Sequence, residues 1–393
     1  MKRFNLLVAC FFSAILALFV YSFTQVDLSL TLSKVSVYQI AEKYLQHIGF
    51  YERPLSTLIY IIILTVLIAF YFKFLRLAIK KQLDIKKVWI LIAVTAVVLG
   101  FSYNAFSYDL FNYIFDAKIV THYHLVPYFY KALDFPNDPM LSFMRWTQRT
   151  FPYGPSWLVL TVPLSFIGFN IFLLTFFLFK FLAVFSFLGS CYLIYKISEK
   201  LFPEDKLLNL VFFALNPLVI VECLVSAHND IPMIFFFLLS VYLFLNKKKF
   251  TAFVLNIFSI GVKFSTGVVF PLFIVLEYFD RTKRKINWEM FFVASFLLSL
   301  LTVAGATVRT TFQPWYLIFP LSLVAFVPKK LYILIPVLLS TVFGLAIYIP
   351  YIYMTDYAKG YPIVAAAIES VGLVSIVVSV LFYFLKTKLS LRH

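Results

Sequence analysis

Long apolar runs, each closed by a short charged interruption, dominate the chain from end to end. Runs of about 20 apolar residues cross a bilayer as helices, and runs of about 13–16 do so where the bilayer thins or the helix ends are buried in protein. The pattern predicts crossings at 5–22, 55–72, 88–106, 171–195, 207–226, 231–246, 250–262, 264–279, 289–308, 314–328, 331–350 and 361–385. The expectation is an all-α multi-pass membrane protein with about 12 transmembrane helices, forming one transmembrane domain over 1–393. The first run follows Lys2-Arg3 as a signal sequence would, but its apolar core and bulky exit at Tyr21 and Phe23 predict an uncleaved anchor. The stretch 155–195 must cross an odd number of times, so 155–168 is expected to be a short re-entrant or interfacial helix and 171–195 the span.

Two longer polar stretches interrupt the runs. In 23–54, Val37, Tyr38, Ile40, Ala41, Tyr44, Leu45 and Ile48 recur at helical spacing, with Glu42, Lys43, Gln46 and His47 between them. That pattern suits a helix lying in the membrane interface. The second stretch, 107–154, holds most of the polar chemistry. Neither is long or polar enough for a soluble catalytic domain, so any chemistry is expected at a membrane face.

Composition agrees. Of 393 residues, 62% are hydrophobic and only 13% charged, about half the usual charge of a soluble chain; the mean hydropathy is +0.93. The excess of 34 Lys and Arg over 18 Asp and Glu does not point to nucleic acid in such a chain. It marks cytoplasmic loops. Lys2, Arg3, Lys73–Lys87, Lys196–Lys206, Lys247–Lys249, Arg281–Lys285, Lys329, Lys330, Lys386, Lys388 and Arg392 fall in alternate loops. Both termini are therefore expected in the cytoplasm. The opposite loops carry Asp27, Glu42, Glu52, Asp109, Asp116, Asp134, Asp138, Asp230 and Asp356. Cys10, Cys191 and Cys223 sit inside apolar runs without metal-ligand spacing and read as core residues.

The candidate chemistry lies on the acidic side. Asp109, Asn112 and Asp116 share one face of a helix, the carboxylates about 10 Å apart along its axis. Two readings fit: a polar face turned to water, or two acids with separate tasks at the lipid boundary. His122, His124, Pro127, Tyr128, Asp134, Asp138, Arg145, Trp146 and Arg149 follow. Arg145 and Arg149, a helical turn apart, suit either an anion or lipid headgroups. The His-x-His pair lacks a third ligand at firm spacing, so no metal is expected. Glu222 lies inside a span, about 9 Å before His228 if the helix continues. It is either functional or a protonated acid bonded to a neighbouring helix. Lys263 and Arg309 are among the few cations on this side, either snorkelling or meeting a lipid-linked phosphate.

At these residues the sequence resembles the GT-C-fold integral membrane glycosyltransferases, in particular the bacterial and archaeal polyprenyl-phosphate-mannose-dependent mannosyltransferases. Tyr108-Asp109-Leu110-Phe111-Asn112-Tyr113, Pro127-Tyr128, Trp146 and Tyr153-Gly154-Pro155 resemble the first external loop of that group. Asn216-Pro217, Glu222 and His228-Asn229-Asp230 resemble its "NP…E…GHND" element, with Ala227 where glycine is commoner. Lys263 matches its "VK" element and Gln313-Pro314-Trp315-Tyr316 its "QPWY" element.

The resemblance implies a hexose, mannose in that group, transferred with inversion from a polyprenyl phosphate to an extracytoplasmic glycan or glycolipid acceptor, with no separate cofactor. It gives Asp109 the role of base, in an environment expected to raise its pKa. Lys263, Arg309 and His228 would meet the phosphate. Asn112, Asp116, Tyr153, Glu222, Asn229, Asp230, Gln313, Trp315 and Tyr316 would bind substrate or hold those cations. No nucleotide-binding loop is seen, which suits a lipid donor. The alternatives are a transporter or flippase of lipid-linked saccharides and a non-catalytic envelope subunit. Against transport, no internal repeat is visible and the polar residues gather at one face.

Overall fold

The computed structural model describes residues 2–354 and 360–390. Asp356 and Arg392 lie outside the described residues, as do the side chains of Lys2, Arg3, Lys386 and Lys388. The helices are α1 (Lys2–Ser22), α2 (Ser36–Phe50), α3 (Arg53–Ile79), α4 (Ile85–Gly100), α5 (Asp109–Thr121), α6 (Pro155–Ile167), α7 (Phe172–Leu201), α8 (Lys206–Ala214), α9 (Pro217–Ile220), α10 (Asp230–Leu245), α11 (Lys249–Val262), α12 (Phe270–Arg281), α13 (Trp288–Arg309), α14 (Ile318–Val324), α15 (Leu331–Ala346), α16 (Tyr348–Tyr353) and α17 (Gly360–Ser390).

Among the described residues six helical stretches are long and apolar enough to cross a membrane: Leu6–Gln25, α3, α7, α13, Tyr332–Tyr353 and Gly360–Leu385. The bent pair α8–α9 is a seventh candidate, and α6, α10, α11 and Pro314–Val324 are shorter apolar helices. Each of the twelve expected runs is largely helical, but this count of full-length spans is lower. Apolar runs record burial, and burial in protein looks the same as burial in lipid. The run 88–106 shows the difference: α4 stops at Gly100, and Tyr103, Ala105 and Phe106 are packed inside the protein in a turn. By contrast α17 exposes Val371, Leu373, Val374, Leu381 and Phe382, as expected of a bilayer-facing helix.

Ion pairs form within each set of loops. Lys81 pairs with Glu204 and Lys329 with Asp205, joining basic loops to one another. Lys118 pairs with Asp138 (2.6 Å) and Lys263 with Asp230 (2.6 Å) in the acidic set. Helix α2 lies polar face inward. Glu42 is buried and accepts from the Leu32 N–H, and the Gln46 amide donates to the Val26 and Asp27 carbonyls. Val37, Ile40 and Tyr44 point outward, each about two-thirds or more exposed.

The break between α8 and α9 positions the site. The Asn216 side-chain oxygen accepts from the Leu218 and Val219 N–H groups, and Pro217 occupies the first helical position, where its missing N–H costs nothing. The axis bends by 55°. A π turn, Val221–Val225, follows, and Ala227 then adopts φ 55°. That left-handed conformation costs an L-residue about 1–2 kcal/mol. It explains why glycine is the commoner residue here in the resembling family. Ala227→Gly is therefore expected to stabilise the protein by about 0.5 kcal/mol, glycine's larger unfolded-state entropy offsetting the rest. A fall in the detergent melting temperature would contradict this account of the turn.

Candidate active site

The turn at Ala227 folds His228 back onto the helix it has just left. The sequence expectation of about 9 Å between Glu222 and His228 is corrected: His228 Nε2 lies 3.2 Å from Glu222 Oε2, because the helix ends in a π turn and reverses. The other ring nitrogen, Nδ1, lies 3.6 Å from Asp109 Oδ2. Trp315 stacks on the imidazole at 4.1 Å between centroids. Glu222 Oε1 accepts from the Tyr348 hydroxyl at 2.8 Å. One imidazole thus stands between two carboxylates, under an indole.

Asp109 opens α5, its N–H bonded to the Ser107 hydroxyl (3.1 Å). Asn112 is one turn on, and its Oδ1 is buried without a hydrogen-bond partner. Burial pushes the Asp116 carboxyl up to about 8, opposed in part by the Arg149 charge. The helix therefore turns these residues inward, and a purely water-facing polar face is excluded. Tyr113 donates to Asn229 Oδ1 (3.4 Å) and meets the Tyr153 and Trp157 rings edge-on. At Gly154, an added Cβ would lie 2.4 Å from the Gly261 carbonyl oxygen, and one at Gly261 would lie 2.2 Å from Ser156 Oγ. The start of α6 and the end of α11 thus meet backbone to backbone, which brings Tyr153 beside the Lys263 segment. Lys263 ends α11 in extended conformation and reaches Asp230 Oδ2 at 2.6 Å. Its ammonium lies 5.8 Å from the Tyr316 ring centroid.

Exposure divides the cluster. The side chains of Asp109 and Lys263 keep 15% and 18% of their surface open; those of His228, Glu222 and Asp230 keep 0%, 0% and 3%. The acid and the cation are mostly buried but keep some open surface, and their partners are sealed.

The electrostatics correct one expectation. Burial raises the Asp109 carboxyl, but the His228 imidazolium 3.6 Å away, with the Lys263 and Arg149 charges, outweighs it and holds it below the usual carboxylate range. Burial lowers His228, yet Asp109 and Glu222 together raise it to about 9. Apolar surroundings alone would have raised the acid; an imidazolium beside it wins. His228 binds its proton more tightly folded than unfolded, where 6.5 is ordinary. Its contribution is complete below pH 6.5 and lost as pH rises through about 9. The melting temperature is therefore expected to fall across that window, by the equivalent of up to about 3 kcal/mol. His228→Gln should flatten the fall, and an unchanged slope in that variant would refute the assignment. The Asp109 contribution is instead lost in acid, below the usual carboxylate range.

Other expected residues lie farther out. Arg309 stands exposed at the end of α13, and among the described residues no ion pair joins it to the cluster. The Gln313 amide donates to Thr311 Oγ1 (3.0 Å), and the Tyr316 hydroxyl shares a hydrogen bond with Thr310 Oγ1 (3.1 Å). The segment of Arg145 and Arg149 is irregular, so their one-turn spacing is corrected. Arg145 lies over the Tyr108 ring (4.7 Å) near Asp27, and Arg149 lies over Trp146 (4.6 Å). His122 packs edge-on against Tyr123. Among the described residues no three His, Cys, Asp or Glu side chains gather as a metal site.

The sequence reading missed Tyr348, Trp157 and Lys180. Lys180 had a visible signal, a lone cation inside the apolar run 171–195. Tyr348 and Trp157 had none, because apolar neighbours surround both.

No curated protein and no solved structure matches the chain. Residues 16–278, two-thirds of its length, match the profile described as alpha-(1->6)-mannopyranosyltransferase, N-terminal domain. That match covers the Asp109 loop, the π turn with His228, and Lys263. The chain is an all-helical membrane protein of the alpha-(1->6)-mannopyranosyltransferase family.

Proposed function

We propose that this mannosyltransferase takes its sugar from a polyprenyl-phosphate carrier and passes it, with inversion, to a lipid- or glycan-linked acceptor outside the cytoplasm. One observation carries the reading. An acid and a lysine whose side chains each keep a small part of their surface open share one polar cluster in a chain otherwise made of apolar helices. An acceptor hydroxyl and a phosphate leaving group need those two charges.

In the proposed reaction the acceptor oxygen bonds to the anomeric carbon as its proton passes to the Asp109 carboxylate. The bond from that carbon to the phosphate oxygen breaks, and the electron pair leaves with the polyprenyl phosphate. Lys263 and Arg149 meet the growing phosphate charge, with Arg309 at the rim. His228 and Glu222 are sealed from substrate and act by keeping Asp109 ionised and oriented; Trp315, half-buried, stacks on the imidazole, and Asp230 holds Lys263. Asn112, Asp116, Tyr153, Asn229, Gln313 and Tyr316 are assigned to the hydroxyls of the two sugars. The carrier's tail lies against apolar helix faces, and the outward stripe of α2 rests in the interface. The basic loops face the cytoplasm, the termini with them. The short apolar helices complete about 12 crossings.

The test is transfer by the purified full chain in nanodiscs, offered radiolabelled mannose and glucose on polyprenyl phosphate and mannose on a nucleotide. Label should reach a mannan-type lipid acceptor from polyprenyl-phosphate mannose, with the anomeric configuration reversed. Direct transfer from the nucleotide sugar would overturn the donor assignment. Movement of the intact carrier across the bilayer without transfer would favour a flippase.

A further inference from the structure

Lys180 lies within α7 with 1% of its surface exposed. Its ammonium donates to the Leu224 carbonyl, to the Val225 carbonyl (2.9 Å) and to Ser102 Oγ (3.1 Å). No carboxylate is among these partners. An ionisable group buried within a span is costly, and it persists where it is bonded and useful. All three donors of the ammonium are used on neutral oxygens.

Those oxygens have particular positions. Leu224 and Val225 end the π turn, where carbonyls lose their helical partners. Three residues after Val225 comes His228. Ser102 closes the turn after α4, its hydroxyl donating to the Leu99 carbonyl at 2.6 Å. From Ser102 to Asp109 the chain is held almost step by step. The Tyr103 N–H bonds to Ser22 Oγ (3.0 Å), the Asn104 amide to the Ser107 carbonyl (2.7 Å), and the Asp109 N–H to Ser107 Oγ (3.1 Å). Lys180 therefore ties the end of the π turn, three residues before His228, to Ser102, where the hydrogen-bonded run leading to Asp109 begins. It reaches no substrate itself.

We propose that Lys180 is a positioning residue: by clamping the end of the π turn to the end of α4, it sets the contact between Asp109 and His228. The inference rests on the proposed reaction for its kinetic arm only. His228 is faced by Asp109 from α5 and by Glu222 from the π turn, under Trp315, and Lys263 and Arg149 act on Asp109. Its titration reports the contact without any turnover.

The experiment compares full-length Lys180→Met, Lys180→Arg and wild type in nanodiscs. One readout is kcat and KM for polyprenyl-phosphate mannose. The other is the titration of His228 by NMR of 15N-histidine, assigned with His228→Gln. Lys180→Met should lower kcat about 100-fold, the loss typical of a small misplacement of catalytic groups, with donor KM unchanged. Its His228 should titrate closer to the ordinary 6.5 than to 9, and Lys180→Arg should recover part of both losses. Wild-type kcat and His228 titration in Lys180→Met would overturn the proposal. If Lys180→Met does not fold, Ser102→Ala removes one tie and leaves the other two. A drop in kcat with a shifted His228 supports the clamp, and wild-type values for both overturn it. If wild type itself transfers nothing from the carrier, the donor reading fails, and the His228 titration still decides the positioning.

Discussion

Asp109→Asn is expected to lower mannosyl transfer about 1,000-fold while leaving donor binding nearly unchanged, the central value for removing a general base. The amide keeps the size of the carboxylate and can still accept from the imidazole. It cannot take the acceptor's proton. Within the cluster no other carboxylate substitutes, because Glu222 is sealed behind His228 and Asp230 is held by Lys263. His228, Lys263 and Arg149 lower the Asp109 pKa against its burial and so favour the ionised base. The attacking hydroxyl becomes acidic enough to lose its proton only as its bond to the sugar forms. Normal transfer by Asp109→Asn in vesicles loaded with polyprenyl-phosphate mannose would remove Asp109 from the chemistry.

Lys263→Met should have two separable effects. It strips the partner from Asp230, whose side chain is 3% exposed, and breaking a buried pair from one side costs about 3–5 kcal/mol. It also removes the cation assigned to the phosphate, so donor KM should rise at least about tenfold, as for loss of a charge-assisted contact. The double variant Lys263→Met with Asp230→Asn tells the two apart. It leaves no unpaired buried charge, so the melting temperature should recover while donor binding stays weak. Recovery of both would show that Lys263 serves only to neutralise Asp230.

Much of the cluster was legible because polar groups are expensive in apolar runs. Glu222, Asp230 and Lys263 stand out in the sequence for that reason, and all three lie in the cluster. Asn216-Pro217 marked a kink, and the chain does bend there. Pairing was not legible. The partner of Glu222 on its far side is Tyr348, 126 residues away, and nothing local distinguishes that tyrosine from its neighbours. The sign of the Asp109 shift depended on a histidine brought close by a left-handed alanine, which periodicity cannot foresee. Arg145 and Arg149 were spaced for a helix that Pro, Gly and aromatic packing prevent. The twelve runs marked helices correctly but not their length, since hydropathy does not distinguish a lipid-facing wall from a protein core.

The uneven exposure of the cluster makes it addressable by chemical reagents. Asp109 and Lys263 each keep under a fifth of their side-chain surface open, while their partners His228, Glu222 and Asp230 are shielded. A donor mimic carrying an epoxide or an activated ester has a reachable nucleophile of either kind, and the group it labels would report which end of the sugar phosphate faces each charge.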